Sequence, residues 1–244
     1  MVGCGSQGVL HALLQAWVEQ DDQVLVPDPG FPAYPTLARL AGAAPVPYSL
    51  APGGGLDPES FGRALEGAPR AKVALINHPS NPTGAGAAPA ALAAVAEACA
   101  ARSVLLISDE VYQELYLEQP APGLRGIAPG AVVLGSLSKA WGAAGLRVGW
   151  GIGPAEYLQP ARLVHGWMVT APARPSQEAA LALLAASERV LPAARHALRA
   201  RWELLREALF PALGFEPPAP AGGFFLWLDV SERFREAPLE FCTR

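Results

Sequence analysis

Lysine is nearly absent from this 244-residue chain, which carries two, Lys72 and Lys139, against sixteen arginines. Cysteine occurs three times, and Cys4, Cys99 and Cys242 are odd in number and share no metal-type spacing. They argue against a disulfide framework and fit free thiols in a reducing compartment. The four histidines, His11, His78, His165 and His196, also lack the spacing of metal ligands. Charge is scarce at 16%, the net charge is −4, and no run of Lys or Arg occurs. The clustered basic surface that nucleic-acid binding requires is therefore missing. No apolar stretch reaches the length of a membrane span. The opening Met1-Val2-Gly3-Cys4-Gly5 lacks the basic and apolar regions of a signal peptide, so a cytoplasmic protein is expected. What is plentiful is apolar material, 51% of residues, enough for a substantial core.

The apolar residues alternate between two patterns. Val9, Leu10, Leu13, Leu14 and Trp17 recur at helical spacing within residues 6–20, and a short strand follows at 23–26. A Pro/Gly turn at 28–32 leads to a helix over about 34–42 and a strand near 45–48. Asp57 starts the next helix, with Pro58 at the first position. Apolar runs at 72–76, 104–107 and 131–135 have the character of strands buried on both faces, with an alanine-rich helix at 88–101 between the first two. A strand over 147–152 is expected to run antiparallel to its neighbours. Strands alternating with helices give an α/β fold, a mostly parallel sheet with helices on both faces. After Pro172 one long helical stretch, 175–210, and a strand, 222–229, suggest an incomplete α+β small domain. The expected division is residues 1–187 and 188–244. Trp17, Trp202 and Trp227 are expected in the core.

Gly3-x-Gly5-x-x-Gly8, with Asp28 further on, matches the dinucleotide fingerprint. That fingerprint needs a strand feeding the first glycine, and only Met1 and Val2 precede it. Ser6 and Gln7 at a helix N-terminus suit any phosphate.

Three segments sit at expected strand ends. Asn77-His78-Pro79-Ser80-Asn81-Pro82-Thr83-Gly84 is a rigid turn that would hold Asn81 off the sheet. Ser108-Asp109-Glu110-Val111-Tyr112 brings Asp109 and Tyr112 near each other if the chain turns helically. Ser136-Leu137-Ser138-Lys139, followed by Gly145-Leu146-Arg147-Val148-Gly149, sets a serine, a lysine and an arginine close together. They could hold an anionic phosphate beside a reactive amine. In a chain that uses arginine for nearly every positive charge, a lysine here suits an amine that must attack a carbonyl, which arginine cannot do.

Together these motifs resemble the class I/II aminotransferases, fold-type I pyridoxal-phosphate enzymes, and the resemblance spans Gly5 to about Trp227. It implies that Lys139 forms a Schiff base with pyridoxal 5′-phosphate and that Asp109 keeps the pyridine nitrogen protonated. Asn81 and Tyr112 would hydrogen-bond the ring's phenolic oxygen, Phe31 would stack on the ring, and Arg147, Ser136, Ser6 and Gln7 would bind the phosphate. The substrates would be an amino acid and a 2-oxo acid, and the assembly a homodimer. Relative to the family both ends are short, and the residue for the substrate carboxylate is not assigned to Arg235 or Arg244. A carbon–sulfur lyase of the same fold and a non-catalytic cofactor-binding protein use the same residues. An NAD-dependent oxidoreductase rests on Gly3–Gly8 alone.

Overall fold

A computed structural model describes residues 1–228. Cys242, Arg235, Arg244 and the last residue of the expected 222–229 strand lie outside them. Seven strands, β1 (Val2–Cys4), β2 (Gln23–Asp28), β3 (Ala44–Ser49), β4 (Ala71–Asn77), β5 (Leu105–Asp109), β6 (Val132–Ser136) and β7 (Val148–Ile152), form one sheet. Their order is β1-β7-β6-β5-β4-β2-β3. The pairs β2–β3, β2–β4, β4–β5 and β5–β6 are parallel. As the pattern implies, β7 is antiparallel, both to β6 and to β1.

The near-continuous apolar strands are needed because both faces are covered. On one face α1 (Gly5–Trp17), α2 (Ala33–Leu40) and α5 (Ala155–Val169) pack over Val73, Leu75, Leu105, Ile107, Val132 and Leu134. On the other, α3 (Pro58–Glu66) and α4 (Pro89–Ala101) cover Leu25, Ala74, Ile76, Leu106 and Val133. Adjacent residues thus serve opposite cores, as the period of two in a strand requires. Burying each Leu, Ile or Val side chain contributes roughly 1.5–3 kcal/mol. Asp57 caps α3 by accepting from Glu59 N at 3.0 Å, ahead of Pro58.

Several sequence expectations need correction. The helical stretch at 175–210 is not one helix: α6 (Arg174–Ala185) and α7 (Ser187–Ala208) meet at Ala186, followed by the short α8 (Phe210–Leu213). The Trp141 indole donates to Ser187 Oγ at 3.1 Å at that junction, tying the bend to the loop after β6. Residues 222–228 form no strand, and the two amides that open the segment go to loops rather than to a ladder. Gly222 N donates to Gly84 O, Gly223 N to Leu115 O, and Gly223 has φ +83. Trp227 is 40% exposed rather than core. Trp17 and Trp202 are half-buried; Trp17 donates to Tyr157 O and Trp202 packs on Phe210. A strand, β1, does lead into α1, although it spans Gly3 instead of ending before it. The sequence pattern does not announce α5, whose periodicity Pro160 and Gly166 interrupt. Among the described residues no helix is long and apolar enough to cross a membrane.

Candidate active site

With every strand but β7 pointing one way, the C-terminal ends of β1, β2, β4, β5 and β6 share one edge of the sheet. The N-terminal end of the reversed β7 lies there too. A cavity of about 400 Å³ opens at this edge. All nine expected site residues line it: Ser6, Gln7, Phe31, Asn81, Asp109, Tyr112, Ser136, Lys139 and Arg147.

At one end of the cavity α1 begins without a side-chain cap, which leaves its first-turn N–H groups available to an anion. The helix can start so close to β7 only because residue 149 is glycine; a Cβ there would lie 2.3 Å from Ser6 N. Arg147 precedes β7 in a left-handed conformation, φ 53, which costs a non-glycine residue on the order of 1 kcal/mol. Its guanidinium lies against Gly5, and Nη1 donates to Ala144 O at 2.9 Å. The Ser136 and Ser138 hydroxyls are 2.8 Å apart, and Ser138 N donates to Ser136 Oγ. Helix dipole, guanidinium and hydroxyls are the groups that could hold an anion here.

Deeper in, Asp109 is a buried carboxylate. Tyr34 Oη donates to its Oδ2 at 2.9 Å, and Val111 N donates to Oδ1 at 3.4 Å. Burial pushes the Asp109 carboxyl up to about 6, against the hydrogen bonds from Tyr34 and Val111 and the charge of Lys139. The chain turns after β5, as Gln113 N→Glu110 O shows, and brings Tyr112 beside Asp109. Burial, then the charge of Asp109, raises the Tyr112 phenol to about 12, while a hydrogen bond from Asn81 works the other way. Asn77 binds two strand ends together: its Nδ2 donates to Asp109 O at 2.8 Å and its Oδ1 accepts from Asn81 N at 2.6 Å. The Lys139 ammonium lies 5.5 Å from the centroid of Tyr112 and 5.7 Å from that of Phe224.

Seven further residues line the cavity that the motifs do not mark: Val111 and Ala144, and the polar or aromatic Tyr34, Asn77, Ser138, Phe224 and Phe225. Ser138 and Asn77 lie inside motif segments, and Tyr34 stands three residues after Phe31, so their proximity has a local signal. Phe224 and Phe225 have none, because their segment has the pattern of a strand. Among the described residues no group of His, Cys, Asp and Glu is arranged to hold a metal ion. The cavity instead joins an amine, a buried acid, a guanidinium beside a helix start, and the aromatic rings of Phe31, Tyr34, Tyr112, Phe224 and Phe225.

The family profile described as aminotransferase class I and II matches residues 1–242. The chain is 34% identical over 233 residues to the arginine–pyruvate transaminase of Pseudomonas aeruginosa, covering 94% of this chain and 59% of that protein. It is 33% identical over 237 residues to the aspartate/prephenate aminotransferase of Thermus thermophilus, covering 95% and 61%. The solved structure of N-succinyldiaminopimelate aminotransferase from Mycobacterium tuberculosis superposes with a TM-score of 0.90 at 30% identity, covering 100% of this chain and 64% of that one. The chain spans about three-fifths of the length of the curated relatives it matches.

Proposed function

Because this chain belongs to the class I and II aminotransferases, pyridoxal-phosphate-dependent enzymes, we propose that it moves an amino group between an amino acid and a 2-oxo acid, with Lys139 as the reacting amine. The observation that carries this proposal is the single cavity in which Lys139, buried Asp109 and the uncapped start of α1 meet. That donor set fits the cofactor: an amine for its aldehyde, an acid for its ring nitrogen, and an anion site for its phosphate.

Ser6, Gln7, Ser136 and Arg147 would bind the phosphate, with Arg147 supplying a charge-assisted pair. Phe31 would lie against one face of the ring, and Asn81 and Tyr112 would donate to its phenolic oxygen. When bound, the cofactor supplies a conjugated cation that accepts the electron pair released from the substrate. Asp109 holds the proton on the ring nitrogen, and Lys139 Nζ takes the proton from the substrate Cα. The two curated relatives are named for different amino donors, so the proposal is confined to the class of α-amino and 2-oxo acids.

The same proposal divides the chain into a large domain, 1–187, and part of a small one, 188–244, a division supported by the turn at Ala186. It also makes the protein cytoplasmic and a homodimer. The free thiols of Cys4 and Cys99 support the reducing compartment. The exposed apolar end of α5, with Trp167 91% exposed, supports a covering partner. The test is reduction with borohydride after incubation with pyridoxal phosphate, followed by peptide mapping and a transfer assay with pyruvate as acceptor. Cofactor fixed on the Lys139 peptide, absent in Lys139→Arg, is expected. Labelling that survives Lys139→Arg, or no transfer from any of the common amino acids, would refute the proposal.

A further inference from the structure

Two tyrosines in this protein are fully enclosed, and their hydroxyls have different partners. Tyr48 Oη donates to a backbone carbonyl, Leu75 O, at 2.9 Å, as a buried tyrosine commonly does to satisfy its polar end. Tyr34, 1% exposed, instead reaches from the first turn of α2 to the end of β5, 75 positions away in sequence. There it meets the one acid among the described residues that lines the cavity. An ionised carboxylate accepts only, so Tyr34 is the donor. Burial, followed by the negative charge of Asp109, raises the Tyr34 phenol well above its ordinary value, and the hydroxyl keeps its proton.

We infer that Tyr34 is a positioning residue for the ring nitrogen of the cofactor, fixing the Asp109 carboxylate through Oδ2 so that its remaining lone pairs serve the ring. The inference rests on the aminotransferase proposal for what the carboxylate faces. Val111 N alone, at 3.4 Å, is too long a contact to set the carboxylate's rotation. Asn77 fixes only the main chain of Asp109, through its carbonyl. Among the described residues Tyr34 is thus the single side chain that hydrogen-bonds the carboxylate itself.

The same turn also positions Phe31. Tyr34 N donates to Phe31 O at 3.0 Å, and the rings meet edge to face at 5.5 Å and 86°. One turn before and into α2 therefore supplies the residue for the ring's face and, through Asp109, the support for its edge. The ionisable groups around Asp109 are Tyr34 from α2, Lys139 from the loop after β6, and Glu110 and Tyr112 from its own segment. Of these, Tyr34 and Lys139 favour the ionised form, and Tyr34 does so by direct hydrogen bond.

The test compares wild type, Tyr34→Phe and, as a control for an equally buried hydroxyl, Tyr48→Phe. In the cofactor-free chain the Asp109 carboxyl is followed by carbon NMR, with Asp109→Asn identifying its signal. Tyr34→Phe is expected to raise the midpoint by about one pH unit, the value of one hydrogen bond to a charged group, while Tyr48→Phe leaves it in place. Pyridoxal phosphate affinity is expected to fall about tenfold in Tyr34→Phe, and not at all when the same change is made in Asp109→Asn. An unmoved midpoint in a chain that binds the cofactor overturns the inference, as does an equal loss of affinity in the Asp109→Asn background. A wild-type chain that takes up no cofactor overturns the aminotransferase proposal, whereas an unmoved midpoint overturns the role of Tyr34, so the two failures are told apart.

Discussion

Substituting asparagine for Asp109 keeps the side chain's shape, removes its charge and turns one acceptor oxygen into a donor, which separates what this residue does for function from what it does to stability. Burial holds the carboxyl at about 6, above the 3.8 of a free aspartate. A group raised on folding contributes stability that is fully present below the unfolded value and lost as pH rises through the folded one. Above pH 6 the ionised Asp109 therefore costs the folded, cofactor-free chain on the order of 3 kcal/mol. In Asp109→Asn the amide oxygen still accepts from Tyr34 Oη, now 2.9 Å from Oδ2. The contact weakened is that with Val111 N, already long at 3.4 Å and worth under about 1 kcal/mol. The net expectation is a gain of about 2 kcal/mol at pH 8, a rise in melting temperature of about 4–8 °C for a chain of this size. Thermal melts of both proteins from pH 4 to 8 check this, since the difference between them cancels every titration they share. The gain should fade as pH drops through 6 and vanish near 4. Cofactor binding should weaken in the same variant, because a neutral amide does not hold a proton on the ring nitrogen. A difference that is independent of pH, or an Asp109→Asn that melts lower at pH 8, would refute the reasoning.

Gly149→Ala places a Cβ 2.3 Å from Ser6 N and 2.5 Å from Gly5 C, both backbone atoms, so β7 and the start of α1 must separate. Pyridoxal phosphate affinity is expected to drop tenfold or more, about 1.4 kcal/mol, in an absorbance titration. His78 is buried as a neutral ring: Nδ1 accepts from Ala87 N at 2.9 Å and Nε2 donates to Pro122 O at 2.8 Å. Burial lowers its proton affinity, so its contribution is present above pH 6.5 and is lost as pH falls below that. His78→Phe should lower stability at pH 8 by about 2 kcal/mol, by leaving two backbone groups unpaired, and should flatten the loss between pH 8 and 5 in urea titrations.

Local pattern made much of this protein legible. Uninterrupted apolar runs identify β4, β5 and β6, because a strand buried on both faces has to be apolar at successive positions. Turn chemistry marks Asp57 and Pro58 as the start of α3. Each motif residue, from Ser6 to Arg147, belongs to a short segment at a strand end, and all nine meet in the cavity. Pattern failed where long-range partners decide the outcome. Residues 222–228 read as an apolar strand, yet the Gly222 and Gly223 amides bond to Gly84 and Leu115 in two distant loops. The helical stretch after 174 bends at Ala186, where Trp141 bonds to Ser187 from another part of the chain.

The amino-acid sequence by itself marked the candidates for the chemistry: a rare lysine, an acid at a strand end, and an arginine between two glycines. Only the tertiary structure decided how they face one another. Parallel strands put successive ends on one edge, and the reversal of β7 returns Arg147 to that edge beside the start of α1. The Tyr34–Asp109 bond, between a helix and a strand 75 positions apart, has no counterpart in any local spacing. Strand order and direction are set by which apolar faces can be covered together, and that is a property of the whole core rather than of any segment.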